Sequence, residues 1–241
     1  NIETATKNCS VSLAKEGKTI LCKEIAEEGY SHAERLHVFI EDLVQEAGIH
    51  FKDIQAIAVS QGPGSYTGLR IGVSAAKGLC YALNVPLIAV DTLQVLASQV
   101  QVEDGLIIPM IDARRMEVYS AIFDVKFEKI RETQAEVITE NSFETISETV
   151  YFVGDCADKC KSVITKSNFI FLEEKKYPSA TAMSILSFSK FQNKDFEEAV
   201  LKIIASPKTN WDTEEEVVDI RRIRRFNNGA SKQIISGSNR I

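Results

Sequence analysis

The spacing of apolar and polar residues predicts that the chain opens with three strands. Apolar residues alternate with polar ones in CSVSLA and in TILCKE, and the two runs flank a glycine turn at residues 15–18, which is the pattern of a β-hairpin. The preceding stretch NIETAT has the character of the second half of a strand. We therefore expect this first strand to be cut short, with a few residues preceding Asn1.

A helix is predicted next, over about residues 31–47. Ser31 and Glu34 have the spacing of a capping box, which supplies acceptors to the free N–H groups of a first helical turn. Gly48 suits the left-handed position that ends a helix. The apolar residues of this segment recur every three to four positions and so lie on one helical face: Leu36, Phe39, Ile40, Leu43, Val44 and Ala47.

Helices and strands then alternate. DIQAIAVS and PLIAV read as buried strands, with helices predicted over about residues 67–83 and 92–100. Either Ser65 or Thr67 is the N-cap of the first of these helices. A hairpin followed by helix–strand alternation is typical of an α/β fold of the ribonuclease-H type.

The stretch GLIIPMIDARRMEVYSAIFD repeats the pattern of a strand that ends in an acidic residue and leads into a hairpin, which indicates a diverged duplication. We therefore predict two ribonuclease-H-like lobes with mixed sheets flanked by helices. The expected divisions are an N-terminal lobe over residues 1–104, a smaller degenerate C-terminal lobe over residues 105–198 and an atypical charged and polar tail over residues 199–241.

Composition and charge narrow the classes of function that the sequence allows. The formal net charge is −6 and the pI about 5.3, whereas a protein that grips nucleic acid by itself presents a basic face. Five cysteines without a CxxC pair, and three histidines that do not share one helical face, predict no metal site. No run approaches the roughly 18 apolar residues of a membrane span. We expect a cytoplasmic protein with no membrane contact.

The glycine-rich stretch AVSQGPGSYTGLRIG was compared with three catalytic motifs. It lacks the Gly-Lys-Ser/Thr end of a phosphate loop, and Thr67 stands where the dinucleotide fingerprint needs a glycine. A nucleophile elbow would centre a serine, but GSYTG centres Tyr66. The expectation is that the chain has no catalytic residues and no cofactor.

Small residues recur at every fourth position after this loop, at Gly68, Gly72, Ala76 and Cys80, and so line one face of the predicted helix. Glycine inside a helix costs about 1 kcal/mol relative to alanine, which close packing must offset. The packing partner is either a second polypeptide or the protein's own sheet, and the spacing leaves both open.

The stretches IETATKNCSVSLA, SHAERL, AVSQGPGSYTGLRIGVSAAKGLCYAL and PLIAVDTLQVLA resemble the TsaB family of bacterial proteins, strongly over about residues 1–125. The resemblance implies the ASKHA fold and a noncatalytic subunit for making threonylcarbamoyladenosine beside the tRNA anticodon. It also implies a catalytic TsaD-like partner, a TsaE-like ATPase, tRNA contact only through the complex, and a possible homodimer through the same helices. The segment after about residue 198 does not match the family's usual ending.

The helices beginning near residues 31 and 67 are, by this resemblance, the expected contact with the TsaD-like subunit. The predicted partner-binding residues are Leu36, Phe39, Ile40, Leu43, Gly68, Arg70, Gly72, Val73, Ala76, Lys77 and Cys80.

Two alternatives of other classes stay open. An ATP-dependent ASKHA enzyme would use Glu3 and Asp112, each at the end of a predicted strand, to hold magnesium, with Gly154 near the base. A peptidase has less support, because the sequence has no evident nucleophile–base pair.

Overall fold

Two five-stranded sheets flanked by helices form the protein. The computed structural model describes residues 1–26 and 32–197. Ser31 of the predicted capping box and the predicted tail lie outside these residues, as does the end of the second predicted lobe. The strands are β1 (Ile2–Glu3), β2 (Cys9–Lys15), β3 (Lys18–Ile25), β4 (Ile57–Ser60), β5 (Leu87–Val90), β6 (Leu106–Asp112), β7 (Glu117–Phe123), β8 (Lys129–Val137), β9 (Val150–Val153) and β10 (Phe169–Leu172). The helices are α1 (His32–Glu46), α2 (Tyr66–Leu83), α3 (Thr92–Ala97), α4 (Ala157–Lys161) and α5 (Ala180–Gln192).

The first sheet has the strand order β3-β2-β1-β4-β5. β2 pairs antiparallel with both β1 and β3, whereas β4 pairs parallel with β1 and β5. α1 and α2 pack side by side on one face of this sheet, and α5 packs on β2 and β5 from the other. β4 and β5 are fully buried because helices cover both of their faces, which explains their unbroken apolar sequences.

The second sheet has the order β10-β9-β6-β7-β8 and repeats the same plan. β6 and β7 form an antiparallel pair, and β9 runs parallel to β6. Three phenylalanines pack together where β9 adjoins β10: the Phe152 ring stacks on Phe171 at 4.8 Å and meets Phe169 edge to face at 5.2 Å between ring centroids. The predicted two-lobe α/β fold with mixed sheets is therefore confirmed, and so is the duplication that the second hairpin indicated.

One helix of each half packs on the sheet of the other half. α3 follows β5 of the first sheet but buries Leu93 and Leu96 against β6 and β7 of the second. α5 comes after the second sheet but buries Met183 against β4 and β5 of the first. The hydroxyl of Ser12 on β2 also donates to the carbonyl of Ala180, at 2.7 Å. The exchange of these two helices ties the two sheets together.

Candidate functional site

The glycine-rich loop and the start of α2 lie against the segment that follows β1. The N–H of Ser65 donates to the carbonyl of Ala5 at 2.6 Å, and the Ser65 hydroxyl caps α2 by accepting from the N–H of Gly68 at 3.2 Å. A Cβ on Gly64 would lie 2.2 Å from the Ala5 carbonyl oxygen, and the φ of Gly64 is +156°. Close approach of two backbone segments, rather than a phosphate, therefore explains these glycines.

The predicted small-residue stripe packs inside the protein's own fold. A Cβ on Gly68 would lie 2.1 Å from the carbonyl oxygen of Thr4, and one on Gly72 would lie 2.2 Å from the Thr4 hydroxyl. That hydroxyl donates to the carbonyl of Gly68 at 2.8 Å. Ala76 is fully buried one turn further along the helix. Of the two packing partners that the spacing left open, the structure places the sheet against this stripe.

Six of the eleven predicted partner-binding residues are buried in the folded chain: Leu36, Leu43, Gly68, Gly72, Val73 and Ala76. Only the outward-facing part of the predicted set is therefore open to a partner, and the partner-binding role of the set stays a prediction. Phe39, Ile40 and Cys80 are half-buried and pack on the same core. Arg70 is exposed and Lys77 is half-exposed. A partner-binding role for these five stays a prediction.

The opposite side of α2 faces solvent. We call it the α2 outer face and define it by five exposed residues: Tyr66, Arg70, Ser74, Gly78 and Tyr81. At 100° per residue these positions fall within about 120° of one another around the helix axis. The side chain of Tyr81 is 92% exposed and that of Tyr66 is 52% exposed. Amphipathic helices normally turn such large aromatic groups inward, so the α2 outer face is unusual for a surface helix.

Gly78 lies at one edge of this face, one turn after Ser74, and within the described residues no atom packs against its Cβ position. A Cβ built on Gly78 meets no atom within 4 Å, in contrast to Gly68 and Gly72. Ser74 precedes it by one turn and is also small and exposed. The α2 outer face is thus a shallow, small-residue centre with Tyr66 and Tyr81 at its two ends.

Two cations line one side of the α2 outer face. The guanidinium of Arg70 lies 4.9 Å from the centroid of the Tyr66 ring, which is cation–π distance. Partial burial lowers the pKa of the Lys77 ammonium. Arginine and tyrosine are, with tryptophan, the residue types enriched among those that dominate the binding energy of protein interfaces.

α1 extends this surface on its flank. It packs beside α2, and its solvent side carries His37, Glu41 and Val38, whose side chain is 46% exposed. The ring Nε2 of His32 contacts the carbonyl of Thr6 at 2.7 Å, which fixes the start of α1 to the same loop that α2 contacts. The two helices therefore present one continuous surface.

Sequence reasoning did not identify the α2 outer face, although the sequence contains a signal for it. α2 has two lines of small residues, and the spacing rule selected the one containing Gly68 and Gly72. Arg70 and Lys77 could have decided between them, because both cations lie on the side of Ser74 and Gly78 and a charged side chain marks the solvent side of a helix.

The carboxylates of the alternative enzyme site lie in two different environments. Glu3 is fully buried, and its burial raises the pKa of the carboxyl to about 7 against the opposing bond from the N–H of Ala5 at 2.7 Å. Its Oε2 atom has no hydrogen-bond partner within the described residues. The same is true of two nearby hydroxyls, that of Thr6 three residues along the chain and that of Ser60 at the end of β4, the strand beside β1.

Asp112, by contrast, is exposed and already holds a cation. The ammonium of Lys159 contacts its Oδ1 atom and donates to the carbonyls of Arg115 at 2.8 Å and Glu117 at 3.1 Å. The backbone N–H of Asp112 donates to Asp155 at 3.0 Å. Desolvation raises the pKa of the Asp155 carboxyl, and the neighbouring Asp112 adds to this. Lys159 thus fills the position next to Asp112 that a magnesium ion would need.

Within residues 1–26 and 32–197, no group of three or more histidine, cysteine, aspartate or glutamate side chains is placed to hold a metal ion. Cys156 and Cys160 are buried one helical turn apart in the core of the second sheet, and burial together with the Cys160 contact raises the pKa of the Cys156 thiol. A Cβ on Gly154 would lie 1.9 Å from the carbonyl oxygen of Met110, so close packing explains the glycine at this position.

None of the described helices is long and apolar enough to cross a membrane.

The curated relatives of this chain include proteins named TsaB and proteins named tRNA N6-adenosine threonylcarbamoyltransferase. A family model described as TsaD: tRNA N6-adenosine threonylcarbamoyltransferase matches residues 24–206. The chain is 36% identical over 125 residues to the tRNA threonylcarbamoyladenosine biosynthesis protein TsaB of Bacillus subtilis (strain 168), over 52% of this chain and 54% of that protein. It is 37% identical over 122 residues to the protein of the same name from Escherichia coli (strain K12), over 50% and 52%.

A solved structure is similar over a greater share of both chains. YeaZ from Pseudomonas aeruginosa superimposes with a TM-score of 0.70 and 26% sequence identity, over 82% of this chain and 93% of that one. The curated relatives differ in this respect, because the chain spans about half the length of the curated relatives that it matches.

Two mixed sheets with exchanged helices define a protein of the two-lobe ASKHA class. The family model matches well over half of the chain, so the chain belongs to the TsaD family of tRNA N6-adenosine threonylcarbamoyltransferases. Within that family its curated relatives include proteins named TsaB, which confirms the resemblance found in the sequence.

Proposed function

We propose that this chain is a noncatalytic subunit in the biosynthesis of threonylcarbamoyladenosine in tRNA, and that it binds a TsaD-like catalytic subunit through the α2 outer face and the flank of α1. The single observation that carries the docking proposal is the combination of Tyr81, 92% exposed, with Gly78, whose Cβ position is open. Relatives named TsaB support the pathway.

The chemistry of the α2 outer face suits a protein partner. Tyr66 and Tyr81 offer large rigid surfaces at low entropic cost, and Arg70 is held in place over Tyr66. Between them Ser74 and Gly78 let another helix approach closely, as small residues do wherever two backbones come near. A partner would bury the two tyrosines and so remove the exposed aromatic area.

The noncatalytic role is supported by the second candidate site. Lys159 occupies the acidic edge at Asp112, and Glu3 is buried with a raised pKa. A magnesium-bound nucleotide needs ionised oxygen ligands that are open to it. Transfer of the threonylcarbamoyl group then falls to the TsaD-like subunit, with a TsaE-like ATPase as a further partner, and tRNA is contacted through the complex.

The same surface would also allow a homodimer when the catalytic subunit is absent. Two copies that place Ser74 and Gly78 against each other would bury four tyrosines across a two-fold axis, which is the commonest symmetry of homo-oligomers. The homodimer and the complex with the TsaD-like subunit would then exclude each other.

The test is a matched pair of serine-to-arginine variants on exposed helical positions. Ser74→Arg lies at the centre of the α2 outer face, whereas Ser189→Arg lies on α5, away from it. Both proteins should fold, because both serines are exposed. We expect Ser74→Arg to lower the affinity for the TsaD-like subunit by about tenfold or more, which is about 1.4 kcal/mol of binding free energy, and so to reduce co-elution. Ser189→Arg should co-elute like the unmodified chain.

Equal co-elution of both variants would place the contact elsewhere on the protein.

Calorimetry of the unmodified chain with ATP and magnesium tests the enzyme alternative separately. Micromolar binding with turnover would contradict the noncatalytic role without bearing on the docking surface.

A further inference from the structure

The connection between β6 and β7 has an uncommon backbone conformation. Arg114 has a φ of +76° and Arg115 a φ of +50°, and among the described residues no other two successive non-glycine residues both have such a positive φ. The hairpin turn of the first sheet places Glu16 and Gly17 in this region instead. A residue with a Cβ is strained there, which is why glycine is the usual occupant. The folding of the turn therefore does not explain two arginines at these positions.

The backbone of this connection is held in place by its neighbours. The N–H of Arg114 donates to the Oδ1 atom of Asp112 at 2.9 Å. The ammonium of Lys159 on α4 donates to the carbonyl of Arg115 at 2.8 Å and to that of Glu117 at 3.1 Å. These bonds fix the turn to the second sheet and to α4. The two arginine side chains are thus presented from a fixed base.

Both arginines are exposed. In the part of the chain that the structure describes, the guanidinium of Arg114 has no hydrogen bond and no ion pair. The nearest acid in sequence, Asp112, is already paired with Lys159, and Glu117 at the start of β7 is half-buried. Arg114 is therefore available to an anion, with a second exposed cation beside it, on a chain whose formal net charge is −6.

The surroundings of this turn suit the phosphates of RNA better than a protein partner. A protein interface has an apolar and aromatic centre. The large apolar side chains that the structure shows as exposed all lie outside residues 112–117 and outside α4. A nucleic-acid interface is polar and positively charged, and most of its contacts go to the sugar–phosphate backbone. A guanidinium binds a phosphate through two parallel N–H bonds.

We propose that Arg114 and Arg115, which we name the arginine turn, bind the phosphate backbone of the tRNA while this chain is in complex with the TsaD-like subunit. The inference rests on the proposed function, because an acidic chain binds RNA weakly by itself. Adjacent α-carbons are about 3.8 Å apart, so the two guanidiniums contact one phosphate or two neighbouring ones. Such a contact does not read the base sequence and serves to position the tRNA on the complex.

The experiment measures tRNA binding by the complex of this chain with the TsaD-like subunit. The test variant carries Arg114→Gln and Arg115→Gln together. Its matched control carries Lys15→Gln and Lys18→Gln, which remove two exposed cations from the hairpin turn of the first sheet. Each complex is titrated with a fluorescently labelled tRNA transcript at salt concentrations from about 50 to about 200 mM.

We expect the test variant to bind the tRNA about fivefold or more weakly than the unmodified complex. The slope of log K against log salt should become shallower by about 1.5, because each lost phosphate contact removes about 0.7 to 0.9 from it. The control variant should leave the affinity and the slope unchanged. An unchanged affinity and slope for the test variant, with co-elution retained, would overturn this inference and leave the proposed function standing.

Arg114→Gly separates binding from folding. We expect this variant to raise the Tm of the chain by about 2–4 °C, because glycine adopts a φ of +76° without strain. The same variant should lower the tRNA affinity of the complex. A fall in Tm would show that Arg114 serves the fold, and it would contradict the proposal.

Co-elution and competition identify the ligand of the arginine turn. Loss of co-elution by the Arg114→Gln and Arg115→Gln variant alone would assign the turn to the protein partner. Free nucleotide has the same phosphate chemistry, so an excess of ATP with magnesium is added to both complexes, and we expect the difference in tRNA affinity between them to persist. Its disappearance would assign the turn to nucleotide, and either assignment would overturn the inference. No co-elution of the unmodified chain would contradict the proposed function and this inference with it.

Discussion

Glu3 is the residue whose ionisation the fold opposes most clearly. Its carboxyl is fully buried, its Oε1 atom accepts from the N–H of Ala5, and its Oε2 atom has no partner within the described residues. An ionised carboxylate in this place would pay a desolvation cost that its hydrogen bonds, chiefly the one from the N–H of Ala5, do not offset. The burial therefore holds the pKa near 7, and Glu3 binds its proton more tightly in the folded state than in the unfolded state.

Glu3→Gln tests this directly. A raised carboxyl pKa contributes stability that is fully present below the unfolded pKa of about 4.5 and is lost as the pH rises through about 7. The free energy of unfolding of the unmodified chain, relative to Glu3→Gln, should fall by about 1.4 kcal/mol per pH unit within this window. Urea unfolding at pH 5, 6, 7 and 8 measures it.

The matched control is Glu103→Gln, which removes an exposed carboxylate. Its stability relative to the unmodified chain should vary little over the same pH range. A flat difference for Glu3→Gln as well would mean that Glu3 is ionised in the folded protein, and the alternative role of Glu3 as a metal ligand would regain support.

At the scale of the element, α2 has two unlike faces. Gly68 and Gly72 let Thr4 approach the helix backbone, which fixes α2 on β1. Gly78 lies on the other side and is open. The glycines of this helix therefore have different roles. Gly68 and Gly72 allow close packing inside the fold, and we infer that Gly78 serves a partner.

Alanine substitutions at the two kinds of glycine should have opposite effects on stability. Gly78→Ala should raise the free energy of unfolding by about 1 kcal/mol, because its new Cβ has space and alanine is the better helix former. Gly72→Ala should lower it, because its Cβ would lie 2.2 Å from the Thr4 hydroxyl, which is held by its bond to Gly68. Urea unfolding of both variants under one set of conditions checks this, and destabilisation of the same size in both would contradict the assignment of the two faces.

The sequence predicted the elements well and the faces less well. The hairpin, the strand–helix alternation and the Ser65 cap, one of two candidates, depend on local patterns that the sequence displays. Which side of α2 is covered depends on where Thr4 lies, and that is settled by β1 pairing with β4 across more than fifty residues. Local spacing does not carry this information, so the sequence left open whether the small-residue stripe packs on the sheet or on a partner.

The ion pair of Lys159 with Asp112 shows the same limit. The acidic end of β6 could be located from the sequence by its likeness to the end of β1. The lysine that neutralises it comes from α4, which follows three further strands along the chain. Only the assembled second sheet brings the ammonium onto Asp112 and the carbonyls of the turn.

At the scale of the whole molecule, the exchanged helices α3 and α5 make the two sheets depend on each other. α5 covers the first sheet on the face opposite α1 and α2, so the first sheet is buried on both sides. A partner that docked on the α2 outer face would therefore meet a layer of helices backed by a sheet and a second layer of helix. Such a support favours binding without a large rearrangement.

The central claim is that this chain acts by presenting the α2 outer face to a catalytic subunit. The measurement that tests it most directly is tRNA modification by a reconstituted system of TsaD-like and TsaE-like proteins, with no further chain, with the unmodified chain, or with Ser74→Arg or Ser189→Arg. The account predicts threonylcarbamoyladenosine with the unmodified chain and with Ser189→Arg, and a loss of most of it with Ser74→Arg or without the chain. Full modification without the chain, or with Ser74→Arg, would contradict it.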